Sequence, residues 1–154
     1  MESIDSKIVM KLRARTGAPV ITCRSALSTS GGDLERAVLA LRRLGIVLVS
    51  HRPGAVGANG VCASYVAPDG RAGVLLEMNC ETDFVARTDE FLNLCRDLGR
   101  RLLTSKAESA EQFLDEEPPV GDDMTARTLV ASVSMMVGEK LDLRRFARYT
   151  VNQP

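Results

Sequence analysis

The hydrophobic pattern of this chain changes its period partway along, and that change constrains the fold more than any other feature. Before residue 50, apolar residues recur at three- and four-residue spacing, as at Leu34, Val38 and Leu41, which is typical of amphipathic helices. After residue 60, β-rich runs appear in which apolar and mixed positions alternate, as they do on strands. The sequence therefore predicts an α+β fold, with a helical part followed by a small antiparallel sheet packed with helices.

The first part predicts three short helices. We expect Ser6 to cap the first and Gly17 to end it, because glycine is the usual residue beyond a helix C-terminus. Pro19 suits the first turn of the second helix, Asp33 caps the third, and Gly45 is predicted to stop it. Three helices in so few residues have a small core, which favours a docking module.

Val20 and Ile21 are adjacent, so a regular helix cannot turn both toward one core. Either the turn before them distorts and buries both, or one or both form an exposed apolar lip between the first two helices. The second arrangement would provide a contact point for a partner.

The segment from Ser50 to Gly60 contains Pro53 and several glycines without periodicity, which predicts a linker. We therefore divide the chain into a helical bundle at 1–49, a linker at 50–60 and an α+β core at 61–154.

The core begins with a predicted hairpin, in which Pro68, Asp69 and Gly70 form the turn. Thr88 and Thr125 are the expected caps of two helices, and the last strand is expected to leave an open sheet edge at Thr150 and Val151. The predicted core elements are, in order, strands at 61–66 and 72–78, a helix after Thr88, a loop at 107–123 with a short helical turn near 112–114, a helix after Thr125, and a strand at 141–151. On this last strand, Phe146 is predicted to share a face with Arg144 and Arg148.

Between the second strand and the next helix lies the stretch 79–87, in which the large apolar Phe84 follows the acidic Asp83. Loops at such a position often carry function. Two interpretations remain open from the residues alone: Phe84 is folded under its own domain, or it is held outward for a partner.

Composition excludes several classes of function. Lys plus Arg and Asp plus Glu are both 20, which argues against nucleic acid as the main partner because phosphate binding needs a cationic excess. We find no signal pattern at the N-terminus and no run of membrane-spanning length, so we expect a cytoplasmic protein with no membrane contact.

Enzymatic chemistry has little support. The four cysteines form no C-x-x-C pair and His51 is the single histidine, so we expect no metal site and treat the thiols as small buried hydrophobes. A Cys–His nucleophile would have to use His51, in the linker. No glycine-rich phosphate loop is present. The residues predict an interaction protein with no cofactor and no chemistry of its own.

At this point the residues match a known family. The stretch Asn-Cys-Glu-Thr-Asp-Phe-Val-Ala-Arg at 79–87, followed by Asp-Glu-Phe at 89–91, resembles the signature of elongation factor Ts. Blocks at 12–18, 23–27, 32–37 and 41–46 resemble its ubiquitin-associated-like helical module, and Gly-Glu-x-Leu-x-Leu-Arg-Arg-Phe at 138–146 resembles the segment that closes the first half of its core.

The resemblance implies a guanine-nucleotide exchange factor for the GTPase elongation factor Tu. It implies that Thr82, Asp83, Phe84 and Val85 enter the GTPase and dislocate its Mg²⁺. It also implies that the helical module binds the same partner, through Arg15, Gly17, Val20 and Ile21.

This sequence departs from the family pattern at three places, one of which is the entry to the first strand at 51–60, where the family's Glu before the glycine is missing. Pro19, Val20 and Ile21 stand where the family usually has glycine and two methionines, and the chain resembles a short form without the second core subdomain. Short members can pair through their cores, which makes a homodimer an expectation here. A docking adaptor with weak or no exchange activity is the alternative function, and a cysteine-based enzyme is a more distant one.

Overall fold

The computed structural model of this chain describes residues 4–50, 59–122 and 124–151. Within these residues the predicted α+β class is confirmed: three helices come first, and a three-stranded antiparallel sheet packed with helices follows. The elements are α1 (Ser6–Thr16), α2 (Val20–Thr29), α3 (Leu34–Ser50), β1 (Asn59–Val66), β2 (Ala72–Cys80), a 3₁₀ turn (Val85–Arg87), α4 (Asp89–Leu102), α5 (Ala110–Asp115), α6 (Ala126–Val137) and β3 (Asp142–Thr150).

The three N-terminal helices enclose a small core of their own. Leu12, Cys23 and Leu27 are fully buried there. Helix α1 is capped by Asp5 rather than by Ser6, since the Asp5 side chain accepts a hydrogen bond from the Lys7 amide. Aspartate and serine are equally good caps, so sequence could not decide between neighbouring candidates.

The prediction that Gly45 stops α3 is wrong. The helix continues to Ser50, and Gly45 lies inside it, against α6. A Cβ atom at Gly45 would come within 2.5 Å of the Met135 sulfur. This glycine therefore provides room for helix packing and does not end the helix, despite the cost of glycine in a helix interior.

The sheet has the order β1-β2-β3, so β2 is central. Val74, Leu76 and Met78 of β2 point into the core, where α4 contributes an apolar stripe that includes Phe91 and Leu98. Thr88 caps α4 as predicted, accepting a hydrogen bond from the Phe91 amide. The inner face of the sheet is thus covered by helix.

A β-bulge changes the predicted facing of the last strand. The β2–β3 register shifts next to Glu77, so that Arg144 is an extra, exposed residue. Leu143 and Phe146 both pack on the core, so the predicted pairing of Arg144 with Phe146 on one face is wrong. Arg148 does share the inner side, where it donates hydrogen bonds to carbonyls at and beyond the end of α4.

The start of β1 falls inside the segment predicted as a linker. Asn59 and Gly60 already pair with β2, and Ser50 still belongs to α3. Gly60 has φ 152°, and a Cβ there would lie 2.3 Å from the Met78 carbonyl oxygen. Glycine is therefore required by the close approach of two strands. The remainder of that segment, including His51, lies outside the described residues, and the division into domains stays a prediction.

The helical bundle and the core contact each other through α3 and α6. Met135 of α6 packs on the core of the bundle. The next residue, Met136, packs against Gly17. A Cβ atom on Gly17 would clash with it, at 2.6 Å from the terminal methyl of Met136. Two glycines, Gly17 and Gly45, thus leave room for two consecutive methionines. In the part of the chain described, no helix has the length and apolar character to cross a bilayer.

Candidate partner-binding site

The loop Glu81–Phe84, hereafter the tip loop, connects the end of β2 to the 3₁₀ turn. Phe84 precedes that turn in helical backbone conformation, with φ −65° and ψ −49°. Its side chain is 80% exposed. Of the two interpretations of Phe84, the structure therefore supports the outward one. A large aromatic ring left in water is the informative kind of exposure, because it has apolar area to bury on a partner.

Thr82 is the centre of the hydrogen bonds that fix this loop. Its hydroxyl donates to Glu139 and accepts from the Val85 amide at 3.4 Å. Its carbonyl accepts from the Cys80 thiol at 3.1 Å and from the Ala86 amide at 3.4 Å. Thr82 thus holds the backbone on both sides of Asp83 and Phe84.

The carboxylate of Glu139 reaches the tip loop from the segment between α6 and β3. One of its oxygens accepts the amides of Glu81 and Thr82 at 3.1 and 3.0 Å, and the other accepts the Thr82 hydroxyl. In the opposite direction, the Glu81 carboxylate accepts the Lys140 amide at 2.7 Å. The two loops therefore exchange hydrogen bonds reciprocally.

The residues on either side of the exposed tip are buried. Val85 and Ala86 are each 8% exposed and belong to the main core, so Val85 anchors the loop and offers little surface to a partner. Cys80 is buried on the other side. Burial, followed by the nearby Glu139 charge, raises the pKa of its thiol, so Cys80 stays protonated and can donate to Thr82.

Asp83 is exposed and faces Arg87 along the chain at 3.1 Å. Both side chains are more than half exposed, at 56% and 80%. Exposed pairs of this kind contribute little stability. Asp83 can therefore leave Arg87 for another hydrogen-bond partner at small cost.

The second predicted contact lies at the start of α2. Ile21 is 84% exposed and Val20 is 36% exposed, so the apolar lip predicted between α1 and α2 is present. Pro19 caps α2 without a side-chain hydrogen bond. An exposed isoleucine at a helix start has no packing role at home, and its apolar area is available.

Arg15 and Gly17, the other two predicted residues of the helical module, already have contacts within the chain. Arg15 forms a two-pronged pair with Glu35, and this hydrogen bonding lowers the pKa of the Glu35 carboxyl. Gly17 ends α1 in the left-handed conformation, with φ 68°, as predicted, and borders Met136.

Helix α6 connects the two contact regions. Met136, against Gly17, and Glu139, against Thr82, are three residues apart, which is at most about 11 Å of extended chain. Gly138 closes α6 between them in the left-handed conformation. The end of α1 at Gly17 and the tip loop are therefore both adjacent to one short segment.

The sequence offered no role for Glu139, although Glu139 stands in a family-like block, and it did not indicate the contact between Met136 and Gly17. An acid one residue after a helix-ending glycine is usually a solvated side chain. The hydrogen bonds between Glu139 and Thr82, which are far apart in the sequence, cannot be identified from one sequence.

The cysteines are only partly as predicted. Three of them are buried, but Cys62 is exposed on β1. Cys95 lies deep in the main core, and burial raises the pKa of its thiol to about 12. Among the described residues, no group of three or more histidine, cysteine or acidic side chains is placed to hold a metal ion.

Comparison with known proteins identifies the family. The family model described as "Elongation factor TS" matches residues 81–154, a match that begins at the tip loop. The chain is similar to the proteins named "Elongation factor Ts" of Symbiobacterium thermophilum (41% identity over 98% of this chain and 47% of the relative), Halothermothrix orenii (36% over 97% and 50%) and Clostridium novyi (32% over 97% and 49%). The chain spans about half the length of these relatives. On this agreement in sequence and in the signature loop, the chain belongs to the elongation factor Ts family.

Proposed function

We propose that this chain is a translation elongation factor that acts as a guanine-nucleotide exchange factor on elongation factor Tu. The observation that carries the proposal is Phe84, 80% exposed at the tip of a loop whose neighbours are hydrogen-bonded or buried. In the proposed complex, Phe84 enters the GTPase domain beside its switch region. Asp83, freed from Arg87, exchanges hydrogen bonds with switch groups there.

Such a contact can release GDP without any chemical step. The Mg²⁺ bound with the nucleotide demands near-ideal octahedral geometry, so a small displacement of its ligands and waters is costly. A protein that binds the displaced state lowers the affinity of the GTPase for nucleotide. By linkage, bound nucleotide lowers the affinity of the GTPase for that protein by the same ratio. The chain therefore functions by binding and needs no catalytic residue, metal or cofactor of its own.

A single aromatic contact is too small to account for release by itself. Burial of one Phe contributes about 1.5–3 kcal/mol, or about one to two powers of ten in affinity. We assign the second contribution to the lip formed by Val20 and Ile21, of which Ile21 is 84% exposed. Because the bundle contacts α6, and α6 leads to Glu139, both contacts are held ready before binding.

Arg15 and Gly17 contribute differently in this proposal. Arg15 can exchange Glu35 for an acidic group of the partner, since its side chain is 40% exposed. Gly17 acts by letting the bundle approach Met136. The site of action is the cytoplasm, where translation takes place.

Pairing of two cores stays a prediction and part of the proposal. Strand β3 is an edge of the sheet, and Val151, the residue after it, is 55% exposed. Sedimentation velocity at micromolar concentrations tests it: a dimer supports the pairing, and a monomer at all concentrations contradicts it.

Linkage gives the direct test of the proposed function. We expect the chain to bind nucleotide-free elongation factor Tu at least about tenfold more tightly than the GDP–Mg²⁺ form, measured by titration calorimetry on both forms. Equal affinities would mean that binding cannot displace nucleotide, and the chain would then be an adaptor.

A further inference from the structure

We infer that Glu139 is a positioning residue of the exchange site, one that holds the tip loop in the conformation that presents Phe84. This inference rests on the proposed function and adds a residue from outside the tip loop and the lip. It starts from the three hydrogen bonds that one carboxylate accepts from consecutive residues of the loop.

Glu139 pairs with backbone groups just beyond the end of the sheet. The amides of Glu81 and Thr82 follow the last residue of β2, so they lie past the positions at which β2 pairs with β1. Glu139 accepts both, at 3.1 and 3.0 Å. Hydrogen bonds to a charged acceptor are stronger than neutral ones, so this carboxylate can select one backbone conformation of the turn.

The selected conformation continues to Phe84. The Thr82 hydroxyl donates to Glu139, which directs its lone pairs toward the Val85 amide at 3.4 Å. Val85 then begins the 3₁₀ turn and is buried in the core. Phe84 thus follows a loop held at Thr82 and precedes a residue fixed in the core, while its own side chain remains in solvent.

Glu139 is itself held in place from two directions. On its N-terminal side, Gly138 closes α6, which packs on the helical bundle through Met135. On its C-terminal side, the Lys140 amide donates to Glu81 at 2.7 Å. A carboxylate with a fixed backbone loses little further freedom on binding the loop, so its hydrogen bonds retain more of their effect.

The matched variants are Glu139→Ala, Glu139→Gln and, as a control for charge alone, Glu117→Gln. Glutamine can keep its amide oxygen on the two backbone amides and turn its NH₂ toward the Thr82 oxygen. Alanine removes all three acceptor contacts. Glu117 is exposed on the loop before α6, so its substitution changes net charge by the same amount as Glu139→Gln away from the tip loop.

The first readout is hydrogen exchange of the Glu81 and Thr82 amides by NMR in the free chain. We expect Glu139→Ala to accelerate exchange at these amides about tenfold or more, with Glu139→Gln close to wild type and Glu117→Gln unchanged. Unchanged protection in Glu139→Ala would overturn the inference whether or not the proposed function is correct.

The second readout is stimulated GDP release by elongation factor Tu. Glu139→Ala should slow release about tenfold, Glu139→Gln should restore most of it, and Glu139→Ala added to Phe84→Ala should produce no further loss. Additive losses would mean that Glu139 does not act through Phe84. If wild type itself gives no stimulation, the proposed function fails while the amide measurement still decides the role of Glu139.

Discussion

Replacing Phe84 with alanine should slow GDP release without damaging the fold. Because Phe84 is 80% exposed, its ring has few contacts to lose in the free chain, and we expect the free energy of unfolding to change by less than about 0.5 kcal/mol. The same exposure leaves most of the ring to be buried on the GTPase. Full burial contributes about 1.5–3 kcal/mol, so the variant should lose about 10- to 150-fold in stimulated release.

The assay is stopped-flow release of a fluorescent GDP analogue from elongation factor Tu, at factor concentrations below saturation. Val120→Ala is the matched control, since Val120 is also an exposed apolar side chain but lies on the loop before α6. Wild-type rates from both Val120→Ala and Phe84→Ala would refute the reasoning. A large loss of stability in Phe84→Ala would contradict the exposed position of the ring.

Four other substitutions and treatments test separate parts of the structure. Ile21→Asp should weaken binding to elongation factor Tu about tenfold or more in calorimetry while leaving the thermal midpoint unchanged, because Ile21 is 84% exposed; unchanged affinity would remove the lip from the site. Gly17→Ala should destabilise the chain by about 1–2 kcal/mol in urea unfolding, since φ 68° disfavours an L side chain and its Cβ would meet Met136; an unchanged midpoint would contradict this contact. Iodoacetamide at pH about 8 should modify Cys62 far faster than the buried thiols and leave stimulated release intact, whereas inactivation would revive a thiol-based mechanism. Burial raises the pKa of Cys95 to about 12, so the stability that depends on its neutral thiol should be complete below pH about 9 and should be lost as pH rises toward 12. Chemical denaturation at several pH values should therefore show that the free energy of unfolding falls less steeply with alkaline pH in Cys95→Ala than in wild type.

Local signals were sufficient where a residue and its partner are close in sequence. Thr88 and Thr125 cap α4 and α6 as predicted, because a cap needs only the next three residues. The buried stripe of α4 follows from periodicity in the same way. The exposure of Phe84 was predictable only as one of two alternatives, since an aromatic ring beside an acid fits neither a buried core segment nor an ordinary solvated turn.

Features that depend on distant partners could not be predicted. Gly45 has the appearance of a helix stop until Met135 is placed against it, and Gly60 resembles a linker glycine until Met78 approaches it across the sheet. The bulge that turns Arg144 outward depends on register with β2. Glu139 becomes part of the site only because folding brings it to Thr82. In each case the deciding atom belongs to another element.

The structure also indicates how two small contacts can act together. The lip and the tip loop belong to different parts of the chain, and the helical bundle that carries the lip packs on α6, which ends two residues before Glu139. A partner that binds one contact meets the other at a fixed position, so little freedom remains to be lost in the second step. Under the proposed function, two side-chain clusters of modest area can therefore act together.

Binding of this chain should accelerate the loss of GDP from elongation factor Tu. The most direct measurement is the GDP release rate as a function of the concentration of this chain, with complex formation followed in parallel by calorimetry. We predict that the rate rises with occupancy and reaches at least about a tenfold acceleration at saturation. A complex that forms with no change in the release rate would contradict the proposed function.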